Sequence, residues 1–230
     1  RDDLVAEARA KELSVVHNKC VWLKVPKAHA RAATGRPAIS VRWVDVNKGD
    51  DLNPNYRSPL VTRKTHLPGE EAIFAPTPPL EALRTVLSAA ATGWKGAALH
   101  LRDPTSESRT QISFIDVSRA YFNARKGPGV DPVYVNLPRE DPDEARGMVG
   151  LLLVHLYGTR AAADGWHCEC SGALADLGFT AGMASARVFR HPARGPARPV
   201  HGDDLTTEGR KGQLDWFVGG SGRSMRYKKE

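Results

Sequence analysis

Apolar residues recur along the chain at two different spacings, which predict helices and short strands in alternation. Residues 2–17 carry apolar positions at helical spacing with two acids at the start. After Pro78-Pro79, leucines at 80, 83 and 87 lie on one helical face in an Ala-rich segment. Gly178 is a typical stop signal for the helix before it. Helices are therefore expected over residues 2–17, from 79 to about 91, over 161–178 and over 205–216.

β-Branched and aromatic runs predict the strands. Turn-forming residues at 47–55 separate two such runs, which indicates a hairpin. The run from Gln111 to Asp116 is nearly unbroken and is expected to be buried on both faces. Residues 26–38 are expected to form a basic loop, and the apolar stretch from 141 to 156 fits either a helix or a strand. Strands are expected at 21–25, 39–46, 57–64, 111–116, 133–136, 187–189 and 198–201.

From Gln111 onward the order is strand, helix, hairpin, helix, which predicts an antiparallel sheet backed by helices on one face. Such a sheet would bring Asp116, at the end of the central strand, next to the adjacent pair Asp203-Asp204. Three carboxylates at strand ends can hold two divalent metals roughly 3.5–4 Å apart for in-line phosphoryl transfer. Magnesium suits such oxygen ligands. Each acid taken alone is more often part of a solvated turn or a helix cap than a metal ligand.

Several motifs in this order resemble the reverse transcriptase of copia-like retrotransposons. The core of the resemblance is Asp-Val-x-x-Ala-Tyr from Asp116, then Leu156-Tyr157-Gly158 through Trp166, then the twin Asp at 203 and 204. Upstream, Val41-Arg42-Trp43-Val44 through Leu60-Val61 resembles the fingers hairpin of that family. Further similar segments are Phe74 to Arg84, which resembles the fingers helix, and Val133 to Pro138, which resembles the strand after the first catalytic Asp.

The resemblance implies an α+β fold of reverse-transcriptase fingers and palm, with a thumb largely missing. It implies an N-terminal helix and fingers-like subdomain over 1–110, a palm-like catalytic subdomain over 111–218, and a basic tail over 219–230 that is expected to be disordered. The activity implied is RNA-directed DNA polymerisation within a retrotransposon polyprotein. The partners implied are an RNA or DNA template-primer and a dNTP, with two Mg²⁺ ions as cofactor and Mn²⁺ as the alternative ion.

The resemblance also assigns roles to individual residues. The catalytic residues are Asp116, Asp203 and Asp204, and the metal ligands are these three together with Val117. Tyr121 follows Asp116 by five positions, where the family places an aromatic ring under the sugar of the incoming nucleotide, so it is expected to select deoxynucleotides. The implied dNTP contacts are Lys48, Arg57, Arg63, Tyr121 and Gly158, and the implied nucleic-acid contacts are Arg160, His201 and Gly202.

The sequence departs from the family pattern at several points. Pro59 and Ala161 stand where the family has Arg and Gln, and His201-Gly202 replaces an aromatic and a β-branched residue. Two alternatives therefore stay open: a catalytically inactive fragment that binds nucleic acid, and a metal-dependent nuclease, which would have no use for Tyr121 or a fingers-like hairpin.

Composition narrows the class of protein without deciding its function. The formal net charge of +7 over 230 residues suits a polyanionic partner. Three cysteines without zinc-type spacing are expected to be reduced thiols, and no apolar run is long enough for a membrane span. No secretion signal is recognisable, so an intracellular location, cytoplasmic or nuclear, is expected. The oligomeric state is left open.

Overall fold

The computed structural model describes residues 1–63, 80–92, 110–127, 129–159, 161–183, 185–194, 197–201, 204–221 and 227–228. In these ranges the chain is a mixed α+β protein with five α-helices and small antiparallel sheets. Of the helices in these ranges, none is long and apolar enough to cross a membrane.

The helices are α1 (Asp2–Asn18), α2 (Lys27–Thr34), α3 (Leu80–Thr92), α4 (Ala162–Asp176) and α5 (Lys211–Ser221). A 3₁₀ turn covers Ala120–Asn123. The strands of the first half are β1 (Trp22–Pro26), β2 (Val41–Trp43), β3 (Val46–Asn47), β4 (Tyr56–Arg57), β5 (Leu60–Thr62) and β6 (Thr110–Val117). Those of the second half are β7 (Tyr134–Asn136), β8 (Met148–Leu152), β9 (Thr180–Ala181), β10 (Val188–Arg190), β11 (Ala197–His201), β12 (Asp204–Arg210) and β13 (Tyr227–Lys228).

The chain divides into two compact units that interleave in sequence. Unit 1 comprises Arg1–Ile73 and Tyr121–Trp166, and unit 2 comprises Phe74–Ala120 and His167–Glu230.

Unit 1 is built on a three-stranded sheet in the order β1-β8-β7 and on two short hairpin ladders, β2 with β5 and β3 with β4. The hairpin predicted around residues 47–55 is therefore confirmed. Val16, Val21, Leu60, Val135 and Leu156 are almost completely buried in its core. Burial of side chains of this size contributes roughly 1.5–3 kcal/mol each to stability.

Unit 2 contains a six-stranded antiparallel sheet in the order β13-β6-β12-β11-β10-β9. Helices α3 and α5 pack against β12 and β6. Burial alternates along β6: Ile115 and Val117 are buried, whereas Phe114 is 69% exposed. The predicted central strand and the hairpin of β10 with β11 are confirmed.

Three predictions about local structure are wrong. The segment expected as a basic loop forms α2, because its alanines favour helix and Gly35, at φ +67°, ends it by donating its N–H to the Arg31 carbonyl at 2.8 Å. Residues 205–210 form β12 instead of a helix, because Leu205 and Thr207 are buried against the sheet. The exposure of Phe114 excludes burial of β6 on both faces. Among the described residues from 219 onward, α5 continues to Ser221 and residues 227–228 pair with β6.

Candidate active site

The central feature of unit 2 is a pair of carboxylates on neighbouring strands. Asp204, the first residue of β12, is the direct partner of Asp116 in the ladder with β6. Residues directly opposite each other in an antiparallel pair have Cβ atoms about 4.5–5.5 Å apart and share a face of the sheet. Asp116 is half-buried and Asp204 is exposed. The ladder therefore joins two of the three carboxylates that the sequence singled out.

Two further predicted site residues of unit 2, His201 and Val117, are next to this pair in the sheet. His201, the last residue of β11, is the backbone partner of Asp204 on its other side. Val117 follows Asp116 and is completely buried, with its backbone paired to Tyr227. Gly202 and Asp203 fall between the paired residues His201 and Asp204 in sequence and lie outside the described residues.

The carboxylate oxygens of Asp116 and Asp204 are the kind of donor that a hard divalent cation prefers. Two carboxylates placed directly opposite each other repel, and a cation between them removes that repulsion. Among the described residues there is no group of three or more His, Cys, Asp or Glu side chains arranged to hold a metal. Asp116 and Asp204 would therefore be protein ligands of such an ion, and Asp203 directly precedes Asp204 in the sequence.

In unit 1, two of the predicted nucleotide-binding residues gather around Tyr157. The Tyr121 ring meets the Tyr157 ring edge-on, with centroids 4.7 Å apart and planes at 81°. The Tyr157 carbonyl accepts hydrogen bonds from Thr62, from the backbone N–H at 2.8 Å and from Oγ1 at 3.3 Å. Gly158 follows at φ +83°, and a Cβ there would lie 2.7 Å from the Thr62 carbonyl oxygen. The close approach of β5 therefore requires glycine at this position.

The three predicted basic contacts are exposed, and two of them share a hairpin face. Val46 is the partner of Arg57 in the ladder of β3 with β4, and the Lys48 N–H donates to the Asn55 carbonyl at 2.8 Å. Because side chains alternate along a strand, Lys48 and Arg57 point to the same face of this hairpin. Arg63 lies beyond the end of β5, where its N–H donates to the Ser40 carbonyl at 2.7 Å. Arg160 lies outside the described residues.

Unit 1 also contains an open groove with a volume of about 1240 Å³ that sequence reasoning missed. Its wall includes Gly158, Thr62, Lys126, His155 and Asp164. Lys126 and His155 come together because the backbone pairs residue 125 with residue 154 as an isolated bridge. No spacing in the sequence signals this pairing.

The groove alters the ionisation of its two basic side chains. Burial lowers the pKa of Lys126, and a nearby Asp131 opposes the effect; the ammonium donates to the Asp131 carbonyl at 2.7 Å. Burial also lowers the pKa of His155, the Lys126 charge lowers it further, and Asp164 counteracts both. His155 lies against Gly165, where an added Cβ would be 2.1 Å from Nε2. His155 is thus a buried, mainly neutral imidazole at neutral pH.

Comparison with known proteins adds no assignment: no protein-family model matches the chain, and no curated protein matches it.

Proposed function

We propose that this chain is an RNA-directed DNA polymerase domain of a retrotransposon polyprotein, which transfers nucleotides from dNTPs to a primer 3′-hydroxyl. The observation that carries the proposal is the direct pairing of Asp204 with Asp116 on one sheet face. Because the surrounding motifs resemble a copia-like reverse transcriptase, we interpret that pair as metal ligands of a polymerase site. A fingers and palm architecture is part of the proposal, with the hairpins of unit 1 as fingers and the sheet of unit 2 as palm.

In this proposal the protein contributes mainly position and charge. Asp116 and Asp203 are the principal metal ligands and Asp204 an auxiliary one, with the Val117 position included in the metal site. When bound, two Mg²⁺ ions, or Mn²⁺, would activate the primer hydroxyl and neutralise the triphosphate. Lys48, Arg57 and Arg63 would contact triphosphate oxygens, for which the planar guanidinium is well suited. Tyr121 would lie under the sugar and exclude a 2′-hydroxyl.

The basic charge of the chain supports a nucleic-acid partner. A net charge of +7 favours binding of a phosphate backbone, and this contribution weakens as salt rises. Arg160, His201 and Gly202 are the proposed contacts with the template-primer. An intracellular location, cytoplasmic or nuclear, belongs to the same proposal.

A second candidate function, binding of nucleic acid without catalysis, is favoured by two departures from the family pattern. Pro59 lacks the cation of the usual Arg and also the backbone N–H, although its carbonyl still accepts from the Val44 N–H at 3.1 Å. Ala161 is exposed at the groove of unit 1, where the family pattern has Gln. Both changes remove polar contacts and leave the carboxylate pair intact.

Primer extension on an RNA template, with dNTPs and Mg²⁺, separates these functions. Wild-type protein is compared with Asp203→Asn and with a matched control, Asp215→Asn, which changes an exposed carboxylate on α5. Extension that is lost in Asp203→Asn and kept in Asp215→Asn supports the polymerase. Binding of the template-primer without extension by the wild type supports the second candidate. Cleavage of the template would indicate the nuclease instead.

A further inference from the structure

The positive charge of the chain is concentrated in one segment. Residues 13–44 are the longest stretch without an aspartate or glutamate. This stretch carries six cationic side chains: Lys19, Lys24, Lys27, Arg31, Arg36 and Arg42. It therefore accounts for nearly all of the net charge of +7 of the whole chain. The centre of the stretch is α2, which Gly35 and Arg36 follow.

Helix α2 presents its cations to solvent. Ala30 is completely buried in a small apolar cluster with Tyr134 and Val149, and this fixes the inner face of the helix. Lys27 and Arg31 are both exposed. Because they are four residues apart on a helix, their Cβ atoms are neighbours, about 5–6 Å from each other. Arg36 is exposed directly after the helix. We call Lys27, Arg31 and Arg36 the α2 basic surface.

The cations of the α2 basic surface are not neutralised by the protein. In the part of the chain that the structure describes, none of the three side chains forms an ion pair or a hydrogen bond. Several other cations of unit 1 are paired with carboxylates: Arg1 with Asp51, Arg9 with Asp45 and Glu140, Lys11 with Glu7, Lys24 with Asp141 and Asp143, and Arg146 with Asp143.

The stability of the helix explains only part of this arrangement. A cation near the C-terminal end of a helix interacts favourably with the helix dipole, which accounts for Arg31 in the last turn. Lys27 is instead the first residue of α2, where a positive charge is unfavourable, and the first turn contains no acid. A bound anion would compensate for this charge.

The side chains between the cations favour a phosphate backbone as the occupant. The other exposed residues of α2 are Ala28, His29, Ala32 and Ala33. A helix that lies in a membrane surface uses bulky apolar residues such as Trp, Phe or Leu, and a protein interface is commonly anchored by large aromatic side chains. Helix α2 contains neither kind of anchor. A nucleic-acid backbone needs only accessible cations, and alanine side chains let it approach the helix closely.

We propose that the α2 basic surface binds the phosphate backbone of a nucleic acid through Lys27, Arg31 and Arg36. This inference rests on the proposed function for its partner, a template-primer, but it requires no catalysis. Each contact between a cation and a phosphate of duplex DNA releases condensed counterions, so the logarithm of the affinity falls with the logarithm of the salt concentration by about 0.9 per contact. Loss of three contacts should therefore reduce this salt slope by about two to three.

The test measures binding of a fluorescein-labelled DNA template-primer by fluorescence anisotropy, without dNTP, from about 50 to about 300 mM KCl. The α2 glutamine variant carries Lys27→Gln, Arg31→Gln and Arg36→Gln. The matched control replaces three exposed, ion-paired cations of unit 1 and so has the same net charge: Arg1→Gln, Lys11→Gln and Arg146→Gln. A third variant keeps the charges of the α2 basic surface: Lys27→Arg, Arg31→Lys and Arg36→Lys. Urea unfolding establishes that each variant is as stable as the wild type.

We expect the α2 glutamine variant to bind at least about tenfold more weakly at about 50 mM KCl, with the smaller salt slope. The matched control and the charge-keeping variant should keep the slope of the wild type. Equal losses in the α2 glutamine variant and the matched control would overturn the proposal, because net charge rather than its location would then control binding. Binding of the wild type through α2 to vesicles of phosphatidylserine and phosphatidylcholine, with none to DNA, would also overturn it.

Primer extension by the same proteins keeps this inference separate from the proposed function. A wild type that binds DNA through α2 and extends no primer would remove the polymerase and keep the α2 basic surface. A wild type that extends primers, while the α2 glutamine variant keeps its affinity and salt slope, would keep the polymerase and remove the α2 basic surface. A wild type that binds no DNA would overturn both.

Discussion

Asp204 lies directly opposite Asp116 in the antiparallel ladder of β12 with β6. A pair of like charges in this arrangement is unfavourable unless a cation or hydrogen bonds compensate for it. Coordination of a divalent cation by both carboxylates is one arrangement that compensates for it. The proposed polymerase depends on this relationship more than on any other feature of the molecule.

The first prediction concerns Tyr121, which lies edge-on to Tyr157 in unit 1. Tyr121→Ala removes the ring that is proposed to exclude a 2′-hydroxyl. We expect the preference for dNTP over rNTP to fall by roughly tenfold or more, about 1.4 kcal/mol in the relative barriers. Single-nucleotide incorporation kinetics measure the ratio, and Tyr121→Phe, which keeps the ring, should preserve it. An unchanged ratio in Tyr121→Ala would remove Tyr121 from the nucleotide site.

The second prediction concerns the close approach at Gly158. Gly158→Ala places a Cβ on a backbone at φ +83° and 2.7 Å from the Thr62 carbonyl oxygen. We expect the free energy of unfolding to fall by about 1–3 kcal/mol. Urea denaturation measures the change. Gly127→Ala is the matched control, because a Cβ there meets nothing within 4 Å. If the two variants were equally stable, β5 would not approach Gly158 as described.

The third prediction compares two glycines within α4. Replacing a helical glycine by alanine normally stabilises by about 0.5–1 kcal/mol, and Gly172→Ala should do so because its surroundings are open. Gly165→Ala should instead destabilise by about 1–3 kcal/mol, because the new Cβ would overlap the buried His155 ring. Thermal or urea unfolding distinguishes the two. Adding His155→Ala to Gly165→Ala should recover part of the loss, and equal stabilisation by both single changes would contradict the packing.

The fourth prediction concerns acid stability. Asp141 is buried; burial opposes its ionisation, but hydrogen bonds from Lys24 Nζ at 2.7 Å, from the Asp143 N–H and from His17 outweigh this and lower its pKa. A carboxyl with a lowered pKa stabilises the fold above its ordinary pKa of 3.8 and loses this contribution as the pH falls through the folded-state pKa.

Lys24→Met should therefore lower the free energy of unfolding by roughly 1–3 kcal/mol at pH 7 and by less near pH 3. Urea unfolding at both pH values measures the difference. Lys11→Met, which breaks the exposed pair with Glu7, should change stability by less than about 1 kcal/mol at either pH. Parallel pH profiles of the wild type and Lys24→Met would show that the Lys24–Asp141 pair does not stabilise the fold.

The sequence predicted those elements whose pattern is local. The hydrophobic spacing of residues 2–17, the turn formers at 47–55 and the run at 111–116 each carry their own signal, and the structure confirms them as α1, a hairpin and β6. The helix predicted from residue 205 is wrong for residues 205–210, because Leu205 to Glu208 fit a helix when they are considered in isolation. Their pairing with β6 depends on residues 90 to 100 positions earlier and outweighs local propensity.

The residues of the candidate site likewise include some that the sequence predicted and some that it did not. The predicted antiparallel sheet placed Asp116 next to Asp203-Asp204, but the strand that makes the contact, β12, was expected to be a helix. The groove residues Lys126 and His155 carried no signal, because the bridge between residues 125 and 154 is a single isolated pairing that no local pattern specifies. The exposure of Phe114 could not be predicted either, because the sequence does not show whether the sheet face that carries an apolar strand residue is covered.

Direct measurement of Mn²⁺ binding tests the central claim most directly. Free Mn²⁺ is followed by electron paramagnetic resonance during titration of the wild type, Asp116→Asn, Asp204→Asn and the control Asp215→Asn. We predict that the wild type and the control bind Mn²⁺ with equal affinity, and that each of the other variants loses at least about tenfold, roughly 1.4 kcal/mol. Equal binding by all four proteins would contradict the assignment of Asp116 and Asp204 as a metal site, and the proposed polymerase mechanism with it.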